Sequence, residues 1–408
     1  MISEKLDSQI AKGAPQYKAG EAKDITFCVT QACNLRCRYC YIVGADNHKS
    51  LTKDQAKKNI DFIFDNPELF YENSVIWNFI GGEPLLEIEL IDYMCDYLKI
   101  RMYEKRSDDW LSDHMFCFST NGTLYHKPEV RKFINKNKDH LSIGFSIDGV
   151  KELHDKYRVY QDGRGSFEDV LKNVPLYVAD FQHHPTTKAT LSHDSLPYIF
   201  ESIKFLSTLG LDIYMNTVFE DIWQDGDDDI YYDQLLQAAD WLIETGKWRT
   251  QVVSLFDSAL IGPRNNNNKN WCGSGKMLHI DINGKLFPCT RLAPYSMTYR
   301  KEGFSFGDIE RGYDQNKLDA FLNLTKPDQS DMSCLSCDID DGCAWCTGWN
   351  YDRYGSIFKR ATFICKMHKA RMKANRYYFN RLESLIKSES FENSLKENAP
   401  IWEALAKE

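Results

Sequence analysis

The chain has 408 residues, of which 43% are hydrophobic and 27% are charged. This composition is ordinary for a soluble globular protein with room for two domains. The formal net charge of -9 argues against nucleic acid as a partner. The chain has no apolar run long enough to cross a bilayer and no signal-peptide pattern at its N-terminus. The sequence therefore predicts a cytoplasmic protein without a membrane partner.

The first two thirds of the chain alternate short apolar runs with helical patterns. The strand candidates, in chain order, are 24–30, 74–80, 114–120, 141–147, 188–191 and 212–218. Strands that alternate with helices indicate parallel βαβ units. Six units favour a partial, TIM-like (β/α)6 barrel over a closed eightfold one, although periodicity alone does not distinguish it from an open doubly wound sheet.

The composition changes after the sixth strand candidate, and we divide the chain accordingly. Segment 271–365 is rich in Cys, Gly and Asp, and its residues 279–289 predict a hairpin that turns at Asn283-Gly284. The complete division is an N-terminal extension (1–23), the α/β barrel (24–235), a bridging helix and linker (236–270), a small Cys-rich domain (271–365) and a helical tail (366–408).

Thirteen cysteines are an odd number, and in a reducing compartment such clustered thiols point to metal binding or catalysis rather than to disulfides. Cys33, Cys37 and Cys40 directly follow the first strand candidate in the segment CNLRCRYC. This spacing is not a usual zinc pattern. Three thiolates in one loop can hold an iron–sulfur cluster with one iron left open, but the spacing alone also allows incidental thiols or a zinc site with a distant fourth ligand.

The spacing Cys-x3-Cys-x2-Cys, with Tyr39 before its last cysteine and with GGEP, STNG and SIDG after the next three strand candidates, resembles the radical S-adenosylmethionine (SAM) enzymes. This resemblance implies a [4Fe–4S] cluster whose open iron binds SAM. One electron from the cluster then cleaves SAM to a 5′-deoxyadenosyl radical. The catalytic residues that it implies are the ligands Cys33, Cys37 and Cys40.

The same resemblance implies which other residues meet SAM. Tyr39 presents its backbone to the adenine, GGEP meets the methionine amino group, and Arg158 pairs with the SAM carboxylate, for which a guanidinium is suited. The remaining contacts would be with the ribose and the methionine. The predicted cofactor-binding residues are Tyr39, Gly81, Gly82, Glu83, Pro84, Ser119, Asn121, Ser146, Asp148 and Arg158.

Seven further cysteines occur in segment 271–365. Zinc is the alternative for their Cys-x2-Cys pairs, but the whole pattern resembles the SPASM extension of radical SAM enzymes, which holds two auxiliary [4Fe–4S] clusters. The last pair, Cys343 and Cys346, is one residue closer together than in the usual family pattern. The resemblance assigns Cys272, Cys289 and Cys346 to the first auxiliary cluster, and Cys334, Cys337, Cys343 and Cys365 to the second. It thus implies SAM and three clusters as cofactors.

The segment from Trp271 to Arg291 and the segment RATFICKMHKA resemble maturases of ribosomally synthesised peptides with repeated cysteine motifs. This resemblance predicts a thioether cross-link in a Cys-containing precursor peptide, and a flavodoxin- or ferredoxin-type electron donor. The alternative is an anaerobic sulfatase-maturating type of enzyme, which oxidises Cys or Ser to formylglycine, or another peptide oxidation by a SPASM enzyme. Against it, those enzymes carry an Asp directly after the second Cys of the first auxiliary pair, whereas Thr290 and then Arg291 follow Cys289 here, and no additional Cys lies between Cys117 and Cys272.

Overall fold

The structure is a computed structural model that describes residues 22–42, 48–181, 185–220, 222–260, 272–339 and 343–387. The linker at 264–270, the chain after residue 387 and nearly all of the N-terminal extension lie outside these residues. No helix in the described ranges is long and apolar enough to span a membrane.

A ten-stranded sheet with the order β10-β9-β8-β7-β1-β2-β3-β4-β5-β6 organises the described chain. Strands β1 to β6 are parallel neighbours, so the predicted α/β fold with a parallel core is confirmed. These six strands are β1 (Ala22–Thr30), β2 (Ser74–Gly81), β3 (His114–Thr120), β4 (Leu141–Phe145), β5 (Thr186–Leu191) and β6 (Asp212–Thr217).

Helices cover the outer face of the parallel strands, where alternate strand residues are buried in one apolar core. The helices of this part are α1 (Lys53–Asp65), α2 (Ile88–Lys105), α3 (Pro128–Asn137), α4 (Lys151–Tyr157), α5 (Phe167–Leu171), α6 (Val174–Asp180), α7 (Ile199–Thr208) and α8 (Asp227–Glu244). Thr52 caps α1 by accepting from the Gln55 N–H at 3.1 Å, whereas the Gln55 side chain donates to Asn59.

The Cys-rich segment adds strands to the β1 edge, which would otherwise expose unpaired backbone. Strand β7 (Leu278–Ile280) pairs parallel with β1, and β8 (Lys285–Phe287) returns antiparallel to β7. Gly284 at the turn has φ 80°, as the predicted hairpin requires. Short strands β9 (Gly307–Asp308) and β10 (Gly312–Tyr313) continue the sheet. The Cys-rich segment is therefore tied by backbone hydrogen bonds to the strand that precedes Cys33.

The remaining helices are short except for the last. They are α9 (Gln315–Leu322), α10 (Lys326–Gln329), α11 (Met332–Leu335), α12 (Thr347–Tyr354) and α13 (Cys365–Lys387). Helix α13 packs along α8, where the Tyr377 hydroxyl donates to Asp240 at 2.8 Å. Asn375 on the same helix donates to the Leu255 carbonyl and accepts from the Asp257 N–H, both at 2.8 Å. These contacts fix Cys365, at the first turn of α13, relative to the barrel.

Candidate functional site

The first cysteine group, Cys33, Cys37 and Cys40, occupies the loop at the carboxyl end of β1. A turn in which the Cys40 N–H donates to the Cys37 carbonyl at 3.0 Å brings the last two together. Burial raises the pKa of Cys33 to about 12, and the neighbouring Cys37 and Cys40 add to this rise. Three thiols this close together can all be deprotonated only where a positive charge, such as that of bound iron, compensates them. The three sulfur atoms are therefore a donor set that fits an iron–sulfur cluster.

The segment GGEP supports this loop from the end of β2. The Gly82 and Glu83 N–H groups donate to the carbonyls of Thr30 and Ala32 at 3.0 and 2.9 Å. A Cβ on Gly82 would lie 2.1 Å from the Ala32 carbonyl oxygen, and one on Gly81 would lie 2.3 Å from that of Thr30. Only glycine permits backbones this close, so the pair fixes where the cysteine loop begins.

We expect Gly82→Ala to displace this loop, because the added methyl group overlaps the Ala32 carbonyl. Iron bound by the reconstituted protein should fall by the share of one cluster, and overpacking should lower the free energy of unfolding by about 1–3 kcal/mol. Gly144→Ala is the matched control, since its Cβ meets nothing closer than 3.4 Å. Equal iron content in the two variants would contradict this role of Gly82.

Glu83 itself is directed into the protein. Its carboxylate accepts from the Leu85 N–H at 3.0 Å, the Thr120 hydroxyl at 2.6 Å and the Asn121 N–H at 2.8 Å. The side chain is 1% exposed, and burial raises its pKa against the effect of these donors. Glu83 thereby joins the ends of β2 and β3. Its contact with the SAM amino group stays a prediction, as does that of Pro84, which begins the turn after it.

Asn121 connects the end of β3 to the cysteine loop. Its side-chain Nδ2 donates to the side-chain Oδ1 of Asn34 at 2.8 Å, and the Asn34 Nδ2 donates to the Thr123 hydroxyl at 2.9 Å. Ser119 is half-buried on β3, and Ser146 is half-buried just beyond β4. All three therefore lie at the carboxyl edge of the parallel sheet, where α/β folds build their sites.

Asp148 and Arg158 form a buried ion pair that the sequence did not indicate. The Arg158 guanidinium donates to both Asp148 oxygens at 3.0 and 3.1 Å, and the Tyr39 hydroxyl and the Thr190 N–H donate to the same carboxylate. The Arg158 guanidinium also lies 5.4 Å from the centre of the Tyr39 ring. Arg158 therefore already pairs with a carboxylate of this chain. Its predicted pairing with the SAM carboxylate would use the part of the guanidinium that does not contact Asp148.

The second cysteine group, Cys272, Cys289 and Cys346, gathers residues that are up to 74 positions apart in the sequence. The sulfur of Cys272 lies 3.1 Å from the hydroxyls of Ser274 and Thr347, and the Trp349 N–H donates to the Cys346 sulfur at 3.4 Å. Burial raises the pKa of Cys289, and Cys346 and Cys272 raise it further. The structure thus brings together the three cysteines that the resemblance assigns to one cluster.

The third cysteine group, Cys334, Cys337, Cys343 and Cys365, lines a cavity of about 290 Å³. Burial raises the pKa of Cys343 to about 11, whereas Arg360 beside it lowers that pKa. Among the described residues, no three His, Cys, Asp or Glu side chains are arranged to hold a single metal ion. Four thiols around one cavity are a donor set that fits an iron–sulfur cluster.

Arg291 lies between the first and second groups. Its guanidinium is 4.7 Å from the centre of the Tyr41 ring and 5.5 Å from that of Trp349, and it donates to Glu220 at 3.2 Å. Burial raises the pKa of Cys40 and of Cys346, and Arg291 opposes both rises. The sequence does not reveal this placement of Arg291, because Tyr41, Glu220 and Trp349 are distant from it in the chain.

The comparisons with known proteins identify one domain of this chain. Residues 27–181 match the model of the Radical SAM superfamily, so the chain contains a radical SAM domain, as predicted. A Cysteine-type anaerobic sulfatase-maturating enzyme of Clostridium novyi (strain NT) is 26% identical over 324 residues, which are 75% of this chain and 82% of that protein.

A second relative is the Antilisterial bacteriocin subtilosin biosynthesis protein AlbA of Bacillus subtilis (strain 168). It is 30% identical over 156 residues, which are 37% of this chain. The alignments span 60%, 82% and 29% of the lengths of three curated relatives. These alignments therefore do not establish the activity or the substrate of the whole protein.

The fold also matches a solved structure, native anSMEcpe with bound AdoMet and the Cp18Cys peptide. The TM-score is 0.68 at 16% sequence identity, and the match covers 89% of this chain and 100% of that one. At this identity the likeness shows the shared fold. It therefore supports the parallel core and leaves the reaction to the residues of this chain.

Proposed function

We propose that this radical SAM enzyme forms a thioether cross-link in a ribosomally synthesised peptide that contains cysteine. The observation that carries the proposal is the three-thiol second group, which faces the first group across Arg291. All thirteen cysteines lie within the described residues, and the proposal assigns ten of them to groups of three, three and four. The other three are Cys28 and Cys95, which are buried, and Cys117 on β3. The second group therefore has no fourth cysteine, and one position is left for a peptide thiolate.

In this proposal the two three-thiol groups have different tasks, one in forming the radical and the other in binding the peptide sulfur. Cys33, Cys37 and Cys40 would hold the cluster that, with SAM bound, supplies a 5′-deoxyadenosyl radical for hydrogen abstraction. Glu83 and Asn121 hold the rim of this site, and the Asp148–Arg158 pair fixes Tyr39 over it. Cys272, Cys289 and Cys346 would hold the first auxiliary cluster, which lowers the pKa of a peptide thiol that it binds and orients its sulfur. A flavodoxin- or ferredoxin-type protein would supply the electron.

Two supports come from the relatives. AlbA is a bacteriocin biosynthesis protein by name, and anSMEcpe was solved with a peptide bound. A peptide substrate is therefore supported. The thioether itself rests on the second cysteine group of this chain and on the sequence resemblance to peptide maturases.

Formylglycine formation is the second candidate, because the sulfatase-maturating relative is similar along most of its length. Two features of this chain oppose it. Thr290 stands directly after Cys289, where that type of enzyme carries an Asp, and no additional Cys lies between Cys117 and Cys272. A threonine hydroxyl at that position does not serve as a general base as a carboxylate does, since it is not ionised near neutral pH.

Product mass distinguishes the two reactions. We expect a peptide with a cysteine motif, encoded beside this gene and incubated with the reconstituted enzyme, SAM and reductant, to lose two hydrogens per cross-link. It should keep its sulfur and lose one thiol that reacts with iodoacetamide. A product in which cysteine has lost its sulfur would instead establish formylglycine. Protein that binds stoichiometric zinc and little iron after anaerobic preparation would contradict both reactions.

A further inference from the structure

Arg291 is a cation that contacts a residue next to each of the two three-thiol groups. Its guanidinium is held between the ring of Tyr41, which directly follows Cys40, and the ring of Trp349. The backbone N–H of Trp349 in turn donates to the Cys346 sulfur. The Arg291 guanidinium therefore lies by two aromatic rings, one from a residue linked to each three-thiol group. Both distances are short enough for cation–π attraction.

The position of this charge is fixed by packing. Arg291 is on the single turn Thr290–Leu292 that begins at Cys289, and its side chain is 19% exposed. Glu220, beyond the end of β6, accepts from it at 3.2 Å. A Cβ on Gly348 would lie 2.7 Å from the Arg291 Cβ, so the first turn of α12 presses directly on it. The guanidinium thus has little freedom to swing into solvent.

The proposed reaction leaves an electron to be removed near this charge. An S–H and a C–H bond break and an S–C bond forms. One hydrogen atom leaves to the 5′-deoxyadenosyl radical, one proton leaves to solvent, and one electron remains for an acceptor. In the proposed assignment the acceptor is the cluster held by Cys272, Cys289 and Cys346.

We infer that Arg291 is a positioning residue whose fixed charge raises the reduction potential of the cluster in the second cysteine group, so that this cluster accepts the surplus electron. Reduction adds a negative charge, and a nearby cation in a partly buried site stabilises the reduced form. Glu220 carries the opposite charge on the same guanidinium and weakens the effect. This inference rests on the cluster assignment of the proposed function.

The test is an anaerobic redox titration of the reconstituted full-length protein, followed by electron paramagnetic resonance. We expect Arg291→Gln to lower the midpoint potential of the second-group cluster and Glu220→Gln to raise it. Arg291→Lys keeps a cation and should shift the potential by less than Arg291→Gln does. The cluster of the third group is the internal control and should not shift, because its ligands lie elsewhere.

Opposite shifts from two substitutions that each remove one charge cannot come from a general loosening of the site. Shifts in the same direction, or no shift in either variant, would overturn the inference. If Arg291→Gln binds less iron, the sign of the Glu220→Gln shift decides. Opposite shifts together with a formylglycine product would keep the inference and reject the thioether. If the protein holds no cluster that requires Cys272, Cys289 and Cys346, both the inference and the cluster assignment on which it rests are rejected.

Discussion

Replacing Cys33 with serine is expected to abolish the cleavage of SAM. A hydroxyl at this position does not replace a thiolate ligand, and loss of a partner that merely supports a ligand already costs roughly 10–100-fold. We therefore expect the rate of 5′-deoxyadenosine release to fall by more than about 100-fold. Iron and sulfide should fall by the content of one cluster, since the other two groups remain intact.

Cys95→Ala is the matched control for this substitution. Cys95 is a fully buried cysteine on α2 and belongs to none of the three groups. It should keep its iron content and its 5′-deoxyadenosine release after correction for the amount of folded protein. A Cys33→Ser protein that still releases 5′-deoxyadenosine at a comparable rate would remove the first group from the SAM site.

Replacing Asp148 with alanine is expected to lower the free energy of unfolding by about 3–5 kcal/mol, because it leaves the Arg158 charge buried without its partner. The Asp148 side chain is 0% exposed and that of Arg158 is 9% exposed. The same carboxylate also accepts from the Thr190 N–H at 3.0 Å. Urea denaturation of the protein without clusters measures this loss apart from any effect on iron or SAM.

The exposed pair of Arg164 and Asp169 provides the comparison. Its N–O distance is 2.8 Å, but the two side chains are 57% and 29% exposed. Solvent screens such a pair, so Asp169→Ala should cost no more than about 1 kcal/mol. Equal losses from the two substitutions would mean that burial does not govern the Asp148–Arg158 pair.

The order of the strands could be predicted from the sequence because each is a short apolar run set off by helical periodicity. Strands β2 and β3 begin where the pattern places them, whereas β5 begins at Thr186, two residues before its predicted start. The Asn283-Gly284 turn likewise specifies its hairpin locally. What local pattern does not specify is the partner of that hairpin. The pairing of β7 with β1 joins segments about 250 residues apart and depends on the free edge of a partial barrel.

The site shows the same division. The ten clustered cysteines are recognisable from spacing and resemblance, since ligand chemistry tolerates few other residues. The pairing of Arg158 with Asp148, the inward direction of Glu83, and the stacking of Arg291 between Tyr41 and Trp349 were not predicted. Each is a contact between residues that are not in one local pattern, and a charged side chain in a sequence does not reveal which partner it meets.

The sequence by itself determined the class of chemistry and the donor atoms, because thiols in tight spacing and glycines at strand ends are local requirements of the cofactors. Only the tertiary structure decided how the seven later cysteines, which the resemblance divides into three and four, come together in space, and what lies between the first and second groups. The physical reason is that the grouping follows from β7 pairing with β1 and from the first turn of α12 packing on Arg291. Both are long-range contacts, and they set the distance and the charge between the proposed radical site and the proposed electron acceptor.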